Sequence, residues 1–293
     1  MKQSIEIINE AYARHQNSVI AFSGGSDSIV LVDIIYRHTP HRPPLVFVDS
    51  GMEHPATQDF VTNVAQAYSA EVNIARPAKP YAGQWAAQGW PMLGKLAARQ
   101  WMQKHRDKGF GYKLDVSSCC RNMKISPGRK LTKQLGATLQ FTGQRGEADD
   151  ALRGLRAIKD TATKYLEADK LTVCNPLQGW TDTMINRYKT ENKLPRHPSW
   201  EEGAITIGCL YCGGGAQYTN SGFKILRHIL PDKWREYIVG MKAGEIILSV
   251  KHNRPLDHIR EAVEKLGGLD ELADTRPWIF DYLSYPPLKG YTK

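Results

Sequence analysis

Ser18-Val-Ile-Ala-Phe-Ser-Gly-Gly-Ser-Asp-Ser-Ile-Val-Leu-Val-Asp-Ile-Ile35 is the stretch that decides the fold. A short apolar run, Ser18 to Phe22, reads as a buried strand, and it enters a Gly-rich turn. Behind the turn, Ile29, Val30, Leu31 and Ile34 mark a helix. Strand, turn and helix in that order form the first half of a parallel βαβ unit. The pattern repeats outward. A second strand, Leu45 to Val48, ends at Asp49, and Pro55 opens a helix through Phe60, Val61 and Val64. A third strand covers Glu71 to Ala75. Pro77 to Gly94 reads as a long loop, with a helix from Lys95 to Lys104 behind it. A helix from Lys124 to Leu135, a strand from Thr138 to Thr142, a polar loop and helix, and a strand from Leu171 to Val173 complete the sheet.

The expected fold class is α/β, a Rossmann-like parallel sheet, in residues 1–180. Beyond Trp180 the periodicity weakens, and Pro195, Pro198 and Gly213-Gly-Gly215 mark loops. Segments Ser221 to Met241 and Leu256 to Leu266 read as helices of a second, loop-rich and helical region, residues 181–293. The tail from Trp278, with Tyr282, Tyr285, Pro286 and Pro287, reads as an extended arm.

Composition narrows the class. The 293 residues include 41% hydrophobic and 24% charged residues, near globular averages. No apolar run approaches the roughly 20 residues of a bilayer span, and Met1-Lys-Gln-Ser-Ile-Glu6 lacks a signal-peptide core. A cytoplasmic protein without membrane contact is expected. Lys and Arg number 39 against 30 Asp and Glu, a net charge of +9. That balance favours polyanions such as nucleotides or nucleic acid, or it is a solvated basic surface. The cations cluster at Lys104, Arg106 and Lys108, at Arg121, Lys124, Arg129, Lys130 and Lys133, and at Arg145, Arg153, Arg156 and Lys159.

Ser23, Gly24, Gly25, Ser26, Asp27 and Ser28 stand between a strand and a helix, so a run of backbone N–H groups meets a helix N-terminus. That arrangement holds phosphate, and the glycines let the backbone close on the anion. An ordinary capped βα turn has similar composition. The segment resembles the PP-loop motif of ATP pyrophosphatases, Ser-Gly-Gly-x-Asp-Ser, at every fixed position. The resemblance implies ATP and Mg2+ as ligands, with Asp27 contacting the metal or bracing the loop.

Further segments resemble the phosphoadenylylsulfate (PAPS) reductase family in order along the chain. These are Asp49-Ser-Gly-Met-Glu-His-Pro-Ala-Thr57, Cys120-Arg-Asn-Met-Lys-Ile-Ser-Pro127, Gly143-Gln-Arg-Gly-Glu-Ala-Asp-Asp-Ala-Leu-Arg153, Asn175-Pro-Leu-Gln-Gly-Trp-Thr-Asp182 and Gly208-Cys-Leu-Tyr-Cys212. Ser50 and Ala56 depart from the family pattern. The resemblance implies an adenine nucleotide alpha-hydrolase-like fold with Asp49, Gly51, Glu53, Gly143, Arg145 and Arg153 in the nucleotide site. Lys124, Arg145 and Arg153 suit tetrahedral oxyanions, with Asp27, Lys124 and Arg145 expected to be catalytic. The alternative for these cations is pairing with Glu147 or Asp149.

Five cysteines without a secretory signal argue against a disulfide framework. Cys174 in Leu-Thr-Val-Cys-Asn-Pro reads as a buried strand residue. Cys119-Cys120 and Cys209-x-x-Cys212 lie far apart in sequence, so one site requires two loops to converge. Adjacent cysteines chelate one tetrahedral zinc awkwardly and fit a cubane more easily. The pattern resembles the [4Fe-4S] site of adenylylsulfate (APS) reductases.

No cysteine follows Cys212, whereas reductases of this family carry a further C-terminal one. The expected activity is therefore that of an ATP pyrophosphatase that adenylates an oxygen for replacement by sulfur. The resemblance implies DNA phosphorothioation, with DNA as substrate ahead of tRNA, a cysteine desulfurase as sulfur donor, and a homo-oligomer left open. The alternatives are an APS or PAPS reductase forming sulfite, and tRNA thiolation.

Overall fold

The computed structural model describes residues 1–93, 98, 103, 116–146, 162–204, 207–213 and 221–281. They fall into two units. One comprises Met1–Ser50, His54–Ala78 and Met123–Trp200, the other Gly51–Glu53, Lys79–Asn122 and Glu201–Lys293. The chain thus leaves the first unit twice before Trp200, and the observed units differ from a single division at residue 180.

The first unit is built on a six-stranded sheet ordered β3-β2-β1-β4-β6-β5. Its strands are β1 (Ser18–Ala21), β2 (Leu45–Val48), β3 (Val72–Ala75), β4 (Leu139–Phe141), β5 (Thr163–Leu166) and β6 (Leu171–Cys174). Register pairs Ile20 with Leu45 and with Phe141, and Leu139 with Thr172. All pairs are parallel except β5 with β6. Val19 and Ile20 in β1 are fully covered, as a central parallel strand with helices on both faces must be.

Helix α1 (Lys2–Arg14), α2 (Ser26–His38) and α3 (Thr57–Ala67) belong to this unit. Every residue of α2 from Ser28 to Tyr36 is buried, including Asp33. Ile29, Leu31 and Ile34 join Phe22, Phe47, Leu139 and Phe141 in the core. A buried carboxylate needs partners. Asp33 accepts from the Tyr68 hydroxyl and the Tyr188 hydroxyl, each at 2.6 Å, and pairs with Arg37 Nε at 3.0 Å.

In the second unit, α4 (Tyr81–Gln88) and α5 (Val116–Cys120) precede a π-helical turn, Arg121–Ile125, where the chain passes back to the first unit and α6 (Ser126–Gln134). After α7 (Asp182–Glu191) of the first unit come α8 (Ser221–Ile229), α9 (Pro231–Arg235), the π-helical Glu236–Gly240, α10 (Ala243–His252), α11 (Leu256–Lys265) and α12 (Gly268–Thr275). Trp85, Trp90, Tyr211, Phe223 and Tyr237 pack as a cluster of tilted and edge-on rings. Among the described residues no helix is long and apolar enough to cross a membrane.

Several expectations change. The stretch expected as a loop from Pro77 holds α4, with Tyr81 and Trp85 one turn apart and ring centroids at 5.1 Å. Strand β5 was not expected, because as an edge strand it buries little and shows no alternation. Helix α10 was not expected, because eight consecutive buried residues erase the helical period. Helix α7 hides for the opposite reason, with only Ile185 and Tyr188 buried. The single helix expected from Ser221 to Met241 breaks at Leu230-Pro231, where proline lacks an N–H to continue it. The arm expected from Trp278 begins instead with a 3-10 turn, Pro277–Phe280, that buries Phe280; the rest of the arm, the helix expected around residues 147–161 and most of the helix expected from Lys95 to Lys104 lie outside the described residues.

Candidate active site

The strand order reverses at β1, whose neighbours β2 and β4 lead to opposite edges of the sheet. In open α/β sheets such a switch point opens a crevice beyond the strand carboxyl ends. Two loops stand there, Phe22 to Gly25 after β1 and Thr142 to Gly146 after β4.

The first loop feeds α2 directly. Gly24 has φ +76°, a conformation that L side chains rarely adopt. Gly25 is the N-cap, and Ile29 N donates to Gly25 O at 3.0 Å as the first helical bond. The N–H groups of the first turn have no acceptor within the helix, and the helix dipole adds partial positive charge. Ser23 Oγ lies 3.2 Å from Ser28 Oγ and accepts from Gly25 N at 3.3 Å, while the Ser28 hydroxyl donates to Gly25 O at 2.9 Å. These bonds hold the loop in shape.

The second loop presses on the first. A Cβ at Gly143 would stand 2.9 Å from both Asp27 C and Ser28 N, a distance real Cβ atoms essentially never show. Thr142 N donates to Cys174 O at 2.9 Å, Gly146 N donates to Gln178 O at 2.7 Å, and the Thr142 hydroxyl meets Asn175 Oδ1. The Asn175-Pro-Leu-Gln segment therefore shapes the loop that closes on α2.

Arg145 is buried between carboxylates. Nε pairs with Asp27 Oδ2 at 3.4 Å, Nη2 donates to Asp182 Oδ1, and Nη1 donates to Trp180 O at 3.1 Å. Its guanidinium ties the Asp27 side chain to the N-terminus of α7 rather than standing open.

Asp49 follows β2. Its N–H donates to Ala75 O at 2.9 Å, and its carboxylate pairs with Arg76 at 3.0 Å. Lys124 lies in the π-helical turn. Gly128 lets α6 approach the end of β2, since a Cβ there would come 3.1 Å from Val48 Cγ2. Ser23 to Ser28, Asp49, Lys124, Gly143 and Arg145 thus share the first unit, while Gly51 and Glu53 belong to the second. Arg153 lies outside the described residues.

Lys189 escaped the sequence reading. From α7 its ammonium donates to Ser26 Oγ at 3.0 Å and sits 4.0 Å from the centroid of the Trp200 ring. Burial pulls it below the usual lysine value, Arg196 adds to that, and the Asp27 charge opposes it. Trp200 is itself placed by His197, fully buried, whose Nε2 meets Thr57 Oγ1 at 3.0 Å. Ser199 N donates to His197 Nδ1 at 3.1 Å, which leaves the ring proton on Nε2 for Thr57. No motif marks Lys189. It is distinguished only by following Tyr188, whose hydroxyl docks α7 on Asp33.

The cysteines divide. Cys174 is buried in β6, and burial pushes its thiol up to about 12. The other four are half-buried in the second unit. Trp85 Nε1 donates to Cys119 Sγ at 3.4 Å, and Cys119 and Cys212 both act electrostatically on the buried Tyr237, behind burial itself, to raise its phenol. Cys209 Sγ faces Glu53 Oε1 at 3.9 Å. Among the described residues no three His, Cys, Asp or Glu side chains are arranged to hold a metal ion. The four cysteines expected to hold an iron–sulfur cluster, Cys119, Cys120, Cys209 and Cys212, nonetheless all belong to the second unit.

Residues 17–214 match the model of the phosphoadenosine phosphosulfate reductase domain. A phosphoadenosine 5′-phosphosulfate reductase of Alkalilimnicola ehrlichii is 28% identical over 190 residues, 65% of this chain and 67% of its own. One of Xanthomonas axonopodis pv. citri is 25% identical over 194 residues, 66% of this chain and 70% of its own. The crystal structure of PAPS reductase from Candida auris superposes with TM-score 0.51 and 21% identity, covering 71% of this chain and 88% of that one. These relatives overturn the expectation of an ATP pyrophosphatase serving DNA phosphorothioation. That expectation leaned on the lack of a cysteine after Cys212, and the relatives point instead to sulfonucleotide reduction, the alternative weighed above.

Proposed function

Because the chain belongs to the phosphoadenosine phosphosulfate reductase domain family, we propose that it acts on an adenine nucleotide carrying a sulfonate, adenylyl sulfate or phosphoadenylyl sulfate, and releases sulfite. The observation that carries the reading is the close approach of Gly143 to Asp27 and Ser28 at the α2 N-terminus, where the first-turn N–H groups lack acceptors within the helix. The Ser23–Ser28 loop takes the nucleotide phosphate, Lys124 supplies positive charge, and Arg145 braces Asp27 rather than contacting substrate.

The reaction needs two thiols. One thiolate attacks the sulfonate sulfur, and the S–O bond breaks so that the adenylate leaves with the bonding pair. A second thiol then attacks the sulfur of the first, forming a disulfide and expelling sulfite. Cys174 supplies neither, since a thiol near 12 is scarcely ionised at neutral pH. The thiols come from the reductant or from Cys119, Cys120, Cys209 and Cys212, and no step is assigned to a cluster on that set.

The test is to incubate the full chain with adenylyl sulfate, phosphoadenylyl sulfate or ATP, each with a dithiol, and to measure sulfite, AMP and pyrophosphate. Sulfite from a sulfonucleotide, with ATP intact, is expected. Release of AMP and pyrophosphate from ATP without sulfite from either sulfonucleotide would sink the reading. Single Cys→Ser variants then show whether a protein thiol takes part.

A further inference from the structure

Among the described residues no ion pair joins Lys189 to a carboxylate. Among the described residues its hydrogen-bond acceptor is the neutral Ser26 hydroxyl, and the ring of Trp200 covers it at 4.0 Å. Arg196 stands on the same ring, its guanidinium carbon 5.8 Å from the centroid. The nearest negative charge acting on Lys189, Asp27, is engaged by Arg145 at 3.4 Å. The half-buried ammonium therefore meets the N-terminus of α2 at Ser26, with the charge of Arg196 acting on it and no carboxylate paired to it among the described residues, an arrangement that favours an anion.

The ammonium is also held in advance. Tyr188, its neighbour in sequence, docks α7 on Asp33 of α2 at 2.6 Å. Trp200 N donates to His197 O at 3.1 Å, and His197 is anchored on Thr57 of α3. Three elements thus fix a side chain that, on an isolated helix, costs substantial rotamer entropy to immobilise. An ammonium has three protons, and Ser26 takes one.

We infer that Lys189 is a binding residue of the loop, donating to an oxygen of the tetrahedral oxyanion that the Ser23–Ser28 backbone receives. The inference rests on the function proposed above and adds to it a cation from outside every motif. Ser26 and Trp200 act as positioning residues. They hold the ammonium where the anion arrives, and desolvation strengthens the contact once it is made.

The test uses the full chain, with calorimetric titration of AMP and of adenosine into the wild type, Lys189→Gln and Lys189→Arg. AMP carries the oxyanion and adenosine does not. Lys189→Gln is expected to weaken AMP by about tenfold to a hundredfold, as for loss of one charge-assisted hydrogen bond, while adenosine stays within about twofold and Lys189→Arg recovers part of the loss. A purely structural role would weaken both ligands by the same factor, and that result overturns the inference. Unchanged AMP affinity in Lys189→Gln overturns it too. A wild-type chain that binds neither AMP nor a sulfonucleotide would instead remove the function proposed above, and the inference with it.

Discussion

The Tyr188 hydroxyl donates to Asp33 Oδ2 at 2.6 Å in the interior of the first unit, across 155 residues of sequence. Tyr68 and Arg37 hold the other oxygen, so one buried carboxylate joins α2, α7 and the end of α3. Tyr188→Phe removes one donor without changing the packed volume. A loss of about 1.5–3 kcal/mol is expected, as for a hydrogen bond to a charged group, read from urea denaturation. A change below about 0.5 kcal/mol, the scale of a surface substitution, would mean that Tyr68 and Arg37 satisfy Asp33 alone.

Gly143→Ala tests the contact between the two loops. Its Cβ would meet backbone atoms of Asp27 and Ser28, which cannot rotate aside. Overpacking of this kind costs about 1–3 kcal/mol, and displacement of the cradle should weaken AMP binding by about tenfold or more. Gly136→Ala is no substitute control, because its φ is +67°. Gly179→Ala, with no atom within 4 Å of the added carbon, is the control expected to leave AMP binding unchanged.

Arg145→Ala removes the buried guanidinium that Asp27 and Asp182 share. Breaking a buried pair from one side costs about 3–5 kcal/mol. Arg145→Lys keeps the charge but has no planar fork to reach Asp27, Asp182 and Trp180 O together, so its stability should fall between wild type and Arg145→Ala. Thermal denaturation of the three proteins gives the order directly.

Thiol labelling separates the cysteines. With a thiol at about 12, Cys174 holds roughly one thiolate in ten thousand at pH 8, and the strand covers it. Maleimide should modify Cys119, Cys120, Cys209 and Cys212 in the folded protein and Cys174 only in denaturant. Early labelling of Cys174, seen by peptide mass analysis, would contradict its burial in β6.

The fold should loosen in alkali. Burial raises the phenol of Tyr12 to about 12 and also raises Tyr36, Tyr68, Tyr188 and Tyr211, with Asp33 adding to the shift of Tyr68 and Tyr188. The unfolded chain loses these protons near the ordinary value of 10, while the folded chain keeps them. Above pH 10 the unfolded state therefore binds fewer protons, and unfolding free energy falls as pH rises. Stability should be level from pH 8 to 10 and decline toward 12. Tyr12→Phe should make that decline shallower, as read from urea midpoints at each pH.

The sheet and its glycine-rich loop were legible in the chain alone, because Ser18–Phe22, Leu45–Val48 and Leu171–Val173 are short apolar runs set between turn residues, as buried parallel strands are. Local backbone needs also showed themselves, as in the glycines of the loop. Elements without period did not. Helix α10 is apolar on every side, and α7 and β5 bury too little to leave a stripe. The site divides along the same line. Ser23 to Ser28, Asp49 and Gly143 were nameable because backbone geometry and motif spacing are properties of neighbouring residues. The engagement of Arg145 by Asp27 and Asp182 and the arrival of Lys189 on Ser26 were decided only by the fold. Each depends on side chains far apart in sequence, and their meeting is set by packing, of which Asp33 and its two tyrosines are the pivot in the first unit.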